Sequence, residues 1–214
     1  MSITMPLDSE AARRLLGDLG RAFAAFPGEL EKVLVMALNK TLVGSRTQAV
    51  RLITGRYAVK AGEVKRKLVE RKASRNSLYI RLSATGRPIL LSRFNARRKD
   101  VKGKRSAYTY QRGGATVSVG ASGPRKYRAV EVQVLKSGRR KLVKGAFSGK
   151  PKNGVEMIFK GKGEGKKLEV LRGPSLFSFL AQPQVKNLIL ATATERLERE
   201  LRTAAAHRLS KLVK

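Results

Sequence analysis

Val130-Glu131-Val132-Gln133-Val134-Leu135-Lys136-Ser137-Gly138-Arg139-Arg140-Lys141-Leu142-Val143 is the stretch that decides the fold. Its first five residues alternate apolar with polar, the period-two signature of a strand with one buried face. Ser137-Gly138 is a hairpin signal, and Lys141-Leu142-Val143 resumes the strand. The alternation extends outward in both directions. Leu78-Tyr79-Ile80-Arg81-Leu82 and Thr116-Val117-Ser118-Val119 precede it, and Glu156-Met157-Ile158-Phe159-Lys160 and Leu168-Glu169-Val170-Leu171 follow. A Gly/Lys-rich turn, Gly161 to Lys167, separates the last two. The middle of the chain is therefore expected to be antiparallel sheet.

The flanks switch to a period near 3.6. Leu15, Leu16, Leu19, Ala22, Phe23 and Phe26 recur at helical spacing behind the candidate caps Asp8 and Ser9, and Pro27-Gly28 breaks that helix. A second helix follows, with Glu29 and Glu31 at its positive dipole end. Leu30, Val33, Leu34, Ala37, Leu38, Thr41 and Leu42 form its apolar stripe, Val50 and Ile53 extend it, and Gly44 marks a candidate bend. After Pro183, Val185, Leu188, Ile189, Thr192, Leu197, Leu201, Ala204 and Leu212 fall near one face, with Glu195, Glu198, Arg199 and Arg202 spaced for i,i+4 pairs. A short helix is expected at Ser175 to Leu180. The sum is an α+β fold with N-terminal helices, a central antiparallel sheet with basic loops, and a long C-terminal helix. The length of 214 residues favours a single domain. Within it, residues 1–53 are expected to be helical, residues 54–172 mainly β and basic, and residues 173–214 helical.

Charge sets the functional class. The chain carries 47 Lys+Arg against 15 Asp+Glu, a formal net charge of +32. Residues 1–53 hold 7 basic and 5 acidic side chains, residues 54–154 hold 28 and 4, and residues 155–214 hold 12 and 6. The excess thus sits in the middle. Such a field destabilises a compact chain by self-repulsion and becomes useful against a polyanion. Hydrophobic residues at 42% argue for a folded core and against a disordered polycation. Aromatics at 6% are few for a base-stacking platform. Arg97 to Gly114, with only Asp100 opposing seven basic residues, reads as a mobile like-charged loop, and Ser148 to Gly154 as a second polar loop.

Catalytic chemistry finds little to work with. There is no cysteine, which removes thiolate catalysis, disulfides and Cys-based zinc sites. The single histidine, His207, falls on the C-terminal helix as a solvated or packing residue. Asp8, Asp18 and Asp100 are spread over different elements and form no paired-carboxylate spacing. Gly161 to Lys166 lacks the full phosphate-loop pattern and a strand-to-helix context, and Gly113-Gly114 reads as a loop end. No enzyme activity and no cofactor are expected. Met1 to Leu7 has no basic n-region or apolar h-region, and no run of ~18 apolar residues marks a membrane span. The chain is expected to be soluble in the cytoplasm where it is made.

The order of several short motifs carries a resemblance. They are Ala37-Leu38-Asn39-Lys40-Thr41 through Arg46, Ala49 and Arg51; Tyr57-Ala58-Val59-Lys60-Ala61-Gly62-Glu63-Val64; Gly86-Arg87-Pro88-Ile89-Leu90-Leu91 with Phe94-Asn95-Ala96-Arg97; Gly145-Ala146-Phe147; and Arg172-Gly173-Pro174-Ser175. Over about 37–182 the chain resembles the minor tail protein Z family of tailed bacteriophages and prophages. Each motif also has a scaffold reading. Asn39, Lys40, Arg46 and Arg51 face outward, a short helix starts near Ala61, Gly86-Arg87-Pro88 turns into an apolar strand, and Gly173-Pro174 stops a strand before the cap Ser175.

The resemblance implies a structural virion protein, a tail-completion or neck-region component that forms a ring, with six-fold order, near the head-proximal end of the tail. It implies other tail and neck proteins as partners, assembly in the host cytoplasm and location in the virion. It supplies no catalytic residues. The basic middle would then meet DNA, without reading sequence, or acidic tail partners. The contact residues expected for it are Arg93, Arg97, Arg98, Lys99, Lys102, Lys104, Arg105, Arg112, Arg125, Lys126, Arg128, Arg139, Arg140 and Lys141. The alternative from charge alone is a stand-alone nucleic-acid-binding protein of ribosomal type. A membrane-active protein fits poorly, because the basic residues cluster among strands rather than on one amphipathic helix.

Overall fold

The computed structural model describes residues 2–5, 10–104, 108–112, 115–119, 124–152, 154–161 and 168–212, with side chains for 13–99, 129–152, 154–161 and 168–212. The fold is α+β. The chain gathers into two compact units: residues 1–89 with 174–214, and residues 90–173. The second is inserted in the sequence of the first.

The first unit contains β1 (Ser2–Met5), α1 (Glu10–Ala22), α2 (Pro27–Arg56), α3 (Ala61–Lys67), β2 (Leu68–Arg71), β3 (Ile80–Ala84), α4 (Leu176–Leu180) and α5 (Pro183–Leu212). Helices α2 and α5 are each 30 residues long, about 45 Å at the usual rise. They run antiparallel. Glu29 near the start of α2 meets Arg208 near the end of α5 at 3.4 Å, and Arg56 at the end of α2 donates to Gln182 just before α5 at 2.9 Å.

Val33, Leu34, Ala37, Leu38, Leu42, Ala49, Val50 and Ile53 of α2 are buried with Ile189, Ala193, Leu197, Leu201, Ala204 and Ala205 of α5. Thr41 and Ser45 are buried too, because each hydroxyl donates to the carbonyl four residues back, at 2.8 and 2.9 Å. Gly44 does not mark a bend, since α2 is continuous there. It is a close-approach point instead: a Cβ at Gly44 would stand 2.4 Å from the Arg196 side chain.

Strands β1, β3 and β2 form an antiparallel sheet in that order. Its strand β3 alternates, with Ile80, Leu82 and Ala84 buried. Four further expectations change in this unit. The first helix stops at Ala22, and Phe26 is half exposed rather than on an apolar stripe. Asn39, read as outward-facing, instead clamps Ala73: its amide donates to the Ala73 carbonyl at 3.1 Å and accepts from the Ala73 N–H at 2.9 Å. Arg46 likewise turns inward to Glu70 at 2.7 Å, whereas Arg51 is exposed. In α5 the i,i+4 pair among the described residues is Arg196–Glu200 at 3.5 Å. The caps Asp8 and Ser9 lie outside the described residues. Ser175 caps α4 as expected, accepting from the Ser178 N–H.

The second unit contains a 3-10 turn (Leu91–Arg93), β4 (Arg97–Lys104), β5 (Tyr108–Arg112), β6 (Ala115–Val119), β7 (Pro124–Val132), β8 (Lys141–Val143), β9 (Ala146–Gly149), β10 (Met157–Gly161) and β11 (Leu168–Val170). All its strand pairs are antiparallel, in the orders β4-β7-β8, β11-β10-β9 and β5-β6. Val130, Val132, Ala146 and Ile158 make its core, with Leu91, Ala96, Val143 and Leu171 packed against them. The hairpin read from Val130 to Val143 is present, with Val132 opposite Lys141.

The segment read as a mobile loop is the main correction here. Residues 97–104 and 108–112 are strands, because pairing with β7 and β6 satisfies their backbone groups despite the charge. The polar loop expected from Ser148 begins as the end of β9. The apolar strand expected after Gly86-Arg87-Pro88 is reduced to a single bridge, Leu90 to Arg172, followed by the 3-10 turn. The turns at 113–114 and 162–167 lie outside the described residues.

Candidate polyanion interface

The chain enters the second unit after Ile89 and leaves it before Pro174. The Leu91 N–H donates to the Leu171 carbonyl at 3.1 Å beside the Leu90–Arg172 bridge, so the entering and leaving segments are tied together. The buried Phe94 ring lies directly on Gly173, where an added Cβ would stand 2.4 Å from a ring carbon. Asn95 follows with φ 47°, a left-handed conformation that asparagine tolerates better than most residues. Its amide donates to Gln133 at 3.2 Å, and its carbonyl accepts from Arg140 at 2.8 Å. These contacts aim the chain into β4.

From there β4 and β7 pair over eight rungs, Arg97–Glu131 to Lys104–Pro124. Strands β5 and β6 pair over five more, Tyr108–Val119 to Arg112–Ala115. The two antiparallel ribbons follow one another in the sequence span 97–132, called the arm below. It holds 10 basic and 2 acidic residues.

Successive rungs of a ribbon alternate between its two faces. Arg97, Lys99 and Arg125 stand on rungs of one set, and Arg98, Lys102, Lys104, Lys126 and Arg128 on rungs of the other. Lys102 stands directly opposite Lys126.

The expected contact residues separate into three groups. Arg98 donates to Ser148 at 2.6 Å and meets Glu156 at 3.4 Å; Lys99 meets Glu131 at 2.5 Å; Arg140 holds Asn95. These three make their contacts at the base of the arm. Lys102, Lys104, Arg112, Arg125, Lys126 and Arg128 lie along the arm itself. Arg93, Arg97, Arg139 and Lys141 are exposed around its base. Arg105 lies outside the described residues.

Unit 90–173 as a whole holds 23 basic and 5 acidic residues, a net +18. Among the described residues no group of three or more His, Asp or Glu is placed to hold a metal ion. No described helix is long and apolar enough to cross a membrane. His207 is exposed on α5.

One feature was not legible in the sequence. Phe147 of β9 and Phe159 of β10 are register partners and stack at 5.8 Å, with Phe147 exposed. The low aromatic content concealed a local pair that only the register brings together. Comparison with models of known protein families, with curated proteins and with solved structures returned no match.

Proposed function

We propose that this chain is a structural subunit of a bacteriophage tail, acting in the neck region near the head-proximal end, and that it applies its two-stranded basic arm to DNA. The observation that carries the second half is the arm's register, with basic residues on rungs of both faces and Lys102 opposite Lys126. A ribbon charged on one face suits a flat acidic protein. A ribbon charged on both suits a groove walled by phosphate on either side, and the major groove of duplex DNA admits a two-stranded ribbon. Contact of this kind is electrostatic and carries no sequence information.

The tail assignment is supported by the motif order described above. Two of those motifs share a role in the fold, since Phe94-Asn95 and Gly173 meet at the base of the arm. A ring of subunits, closed by rotational symmetry, would array the arms around one axis. The test is twofold. Light scattering on the purified chain should give a closed multiple of 23.5 kDa, alone or with tail proteins. Finished particles from the genome encoding the chain should contain it in constant copy number. A strict monomer absent from finished particles would contradict the assignment and leave the stand-alone nucleic-acid-binding reading.

A further inference from the structure

We infer that the sheet of the first unit carries a phosphate-binding site formed by Arg71 and Arg81 on a Tyr79 platform, separate from the arm and independent of the tail assignment. Arg71 of β2 and Arg81 of β3 are direct register partners. Side chains so placed project from the same sheet face with Cβ atoms about 5 Å apart. Two guanidiniums there repel each other, yet among the described residues no carboxylate separates them. The neighbouring acid, Glu70, lies on the alternate face and is engaged by Arg46 at 2.7 Å.

What holds the pair in place is an aromatic ring. The Arg71 guanidinium carbon lies 4.9 Å from the Tyr79 ring centroid and that of Arg81 5.8 Å, both within cation–π range. The ring thus orders two positive forks before any ligand arrives. The Arg81 Nε is buried without a hydrogen-bond partner among the described residues, so the donors open to a ligand are the terminal amino groups of the two arginines. Two ordered forks presenting such donors match a phosphate oxyanion, which accepts several charge-assisted hydrogen bonds at once. A carboxylate has fewer acceptor oxygens to divide between two forks. The phosphate is either free in solution or a unit of a nucleic-acid backbone.

The test uses the full chain. Arginine Nε–Hε signals are followed by NMR during titration with inorganic phosphate at constant ionic strength, and then with a short DNA duplex. Arg71→Gln and Arg81→Gln are compared with Arg87→Gln, which removes the same charge from an exposed position elsewhere in the unit. The inference expects the Arg71 and Arg81 signals to shift with phosphate. It expects each of the two variants to weaken binding about tenfold or more, and Arg87→Gln to leave it unchanged. Tyr79→Leu should weaken it while both arginines remain. Displacement of phosphate by the duplex, abolished in the same two variants, identifies the source as nucleic-acid backbone; phosphate binding without displacement identifies free phosphate. Absence of a shift at Arg71 and Arg81 in the unaltered chain, or equal weakening in all three arginine variants, overturns the inference.

Discussion

Single residues do most to define the base of the arm. Phe94 is buried and its ring occupies the space beside Gly173, so Gly173→Ala forces one of them to move. Overpacking of that kind costs about 1–3 kcal/mol, and chemical denaturation should show the loss as a lower midpoint. Asn39 presents a second test. It bonds both backbone groups of Ala73, and Asn39→Leu leaves a half-buried N–H and carbonyl without their partner. The expected loss is about 1–3 kcal/mol, with Arg51→Leu, on the exposed side of the same helix, near neutral.

Glu29 gives a pH dependence. Its hydrogen bond from Lys32, with the nearby charges of Arg208 and Arg75, holds its carboxyl below the ordinary value. A group depressed in the folded state contributes stability above its unfolded pKa and loses it as pH falls through the folded one. Glu29→Gln should therefore lower the melting temperature at neutral pH and flatten its decline on the acid side.

At the scale of elements, legibility followed the number of faces an element buries. The end of β7 from Val130, with its return β8, was plain in the sequence, because Val130 and Val132 are buried and Glu131 between them is not. Helix α5 was plain for the same reason. Helix α2 was found, but its polar residues were misread. It packs against α5 on one side and lies close to α3 and β3 on another, so Asn39 and Arg46 meet protein where the pattern implied water.

Strand β4 was missed because strand formation there depends on partners 20 to 34 residues away, and local charge masks it. The candidate site was legible in composition and not in geometry. The density of positive charge was evident, whereas the intramolecular contacts of Arg98, Lys99 and Arg140 and the rung positions of the other arm residues needed the register. Arg98→Gln should accordingly act through the fold, lowering stability by about 1 kcal/mol or less at so exposed a pair, and change the salt slope of DNA binding less than Lys102→Gln.

For the whole molecule, the charge that first marks the chain is distributed by architecture. The inserted unit 90–173 carries net +18, more than half of the total +32 in fewer than half of the residues. The first unit supplies long helices with a buried seam and the Arg71–Tyr79–Arg81 cluster. The arm is the central claim, and the salt dependence of DNA binding tests it most directly. Affinity of the full chain for a random-sequence duplex is measured against salt concentration. The comparison is a variant with Lys102, Lys104, Arg125, Lys126 and Arg128 changed to Gln, and a control with Lys60, Lys65, Arg87, Arg202 and Lys211 changed to Gln. Removing one phosphate-binding side chain should reduce the slope of log affinity against log salt by about 0.9. The account predicts a reduction of several units in the arm variant and little change in the control. Equal slopes in the arm variant and the unaltered chain would contradict it and assign the arm to a protein partner.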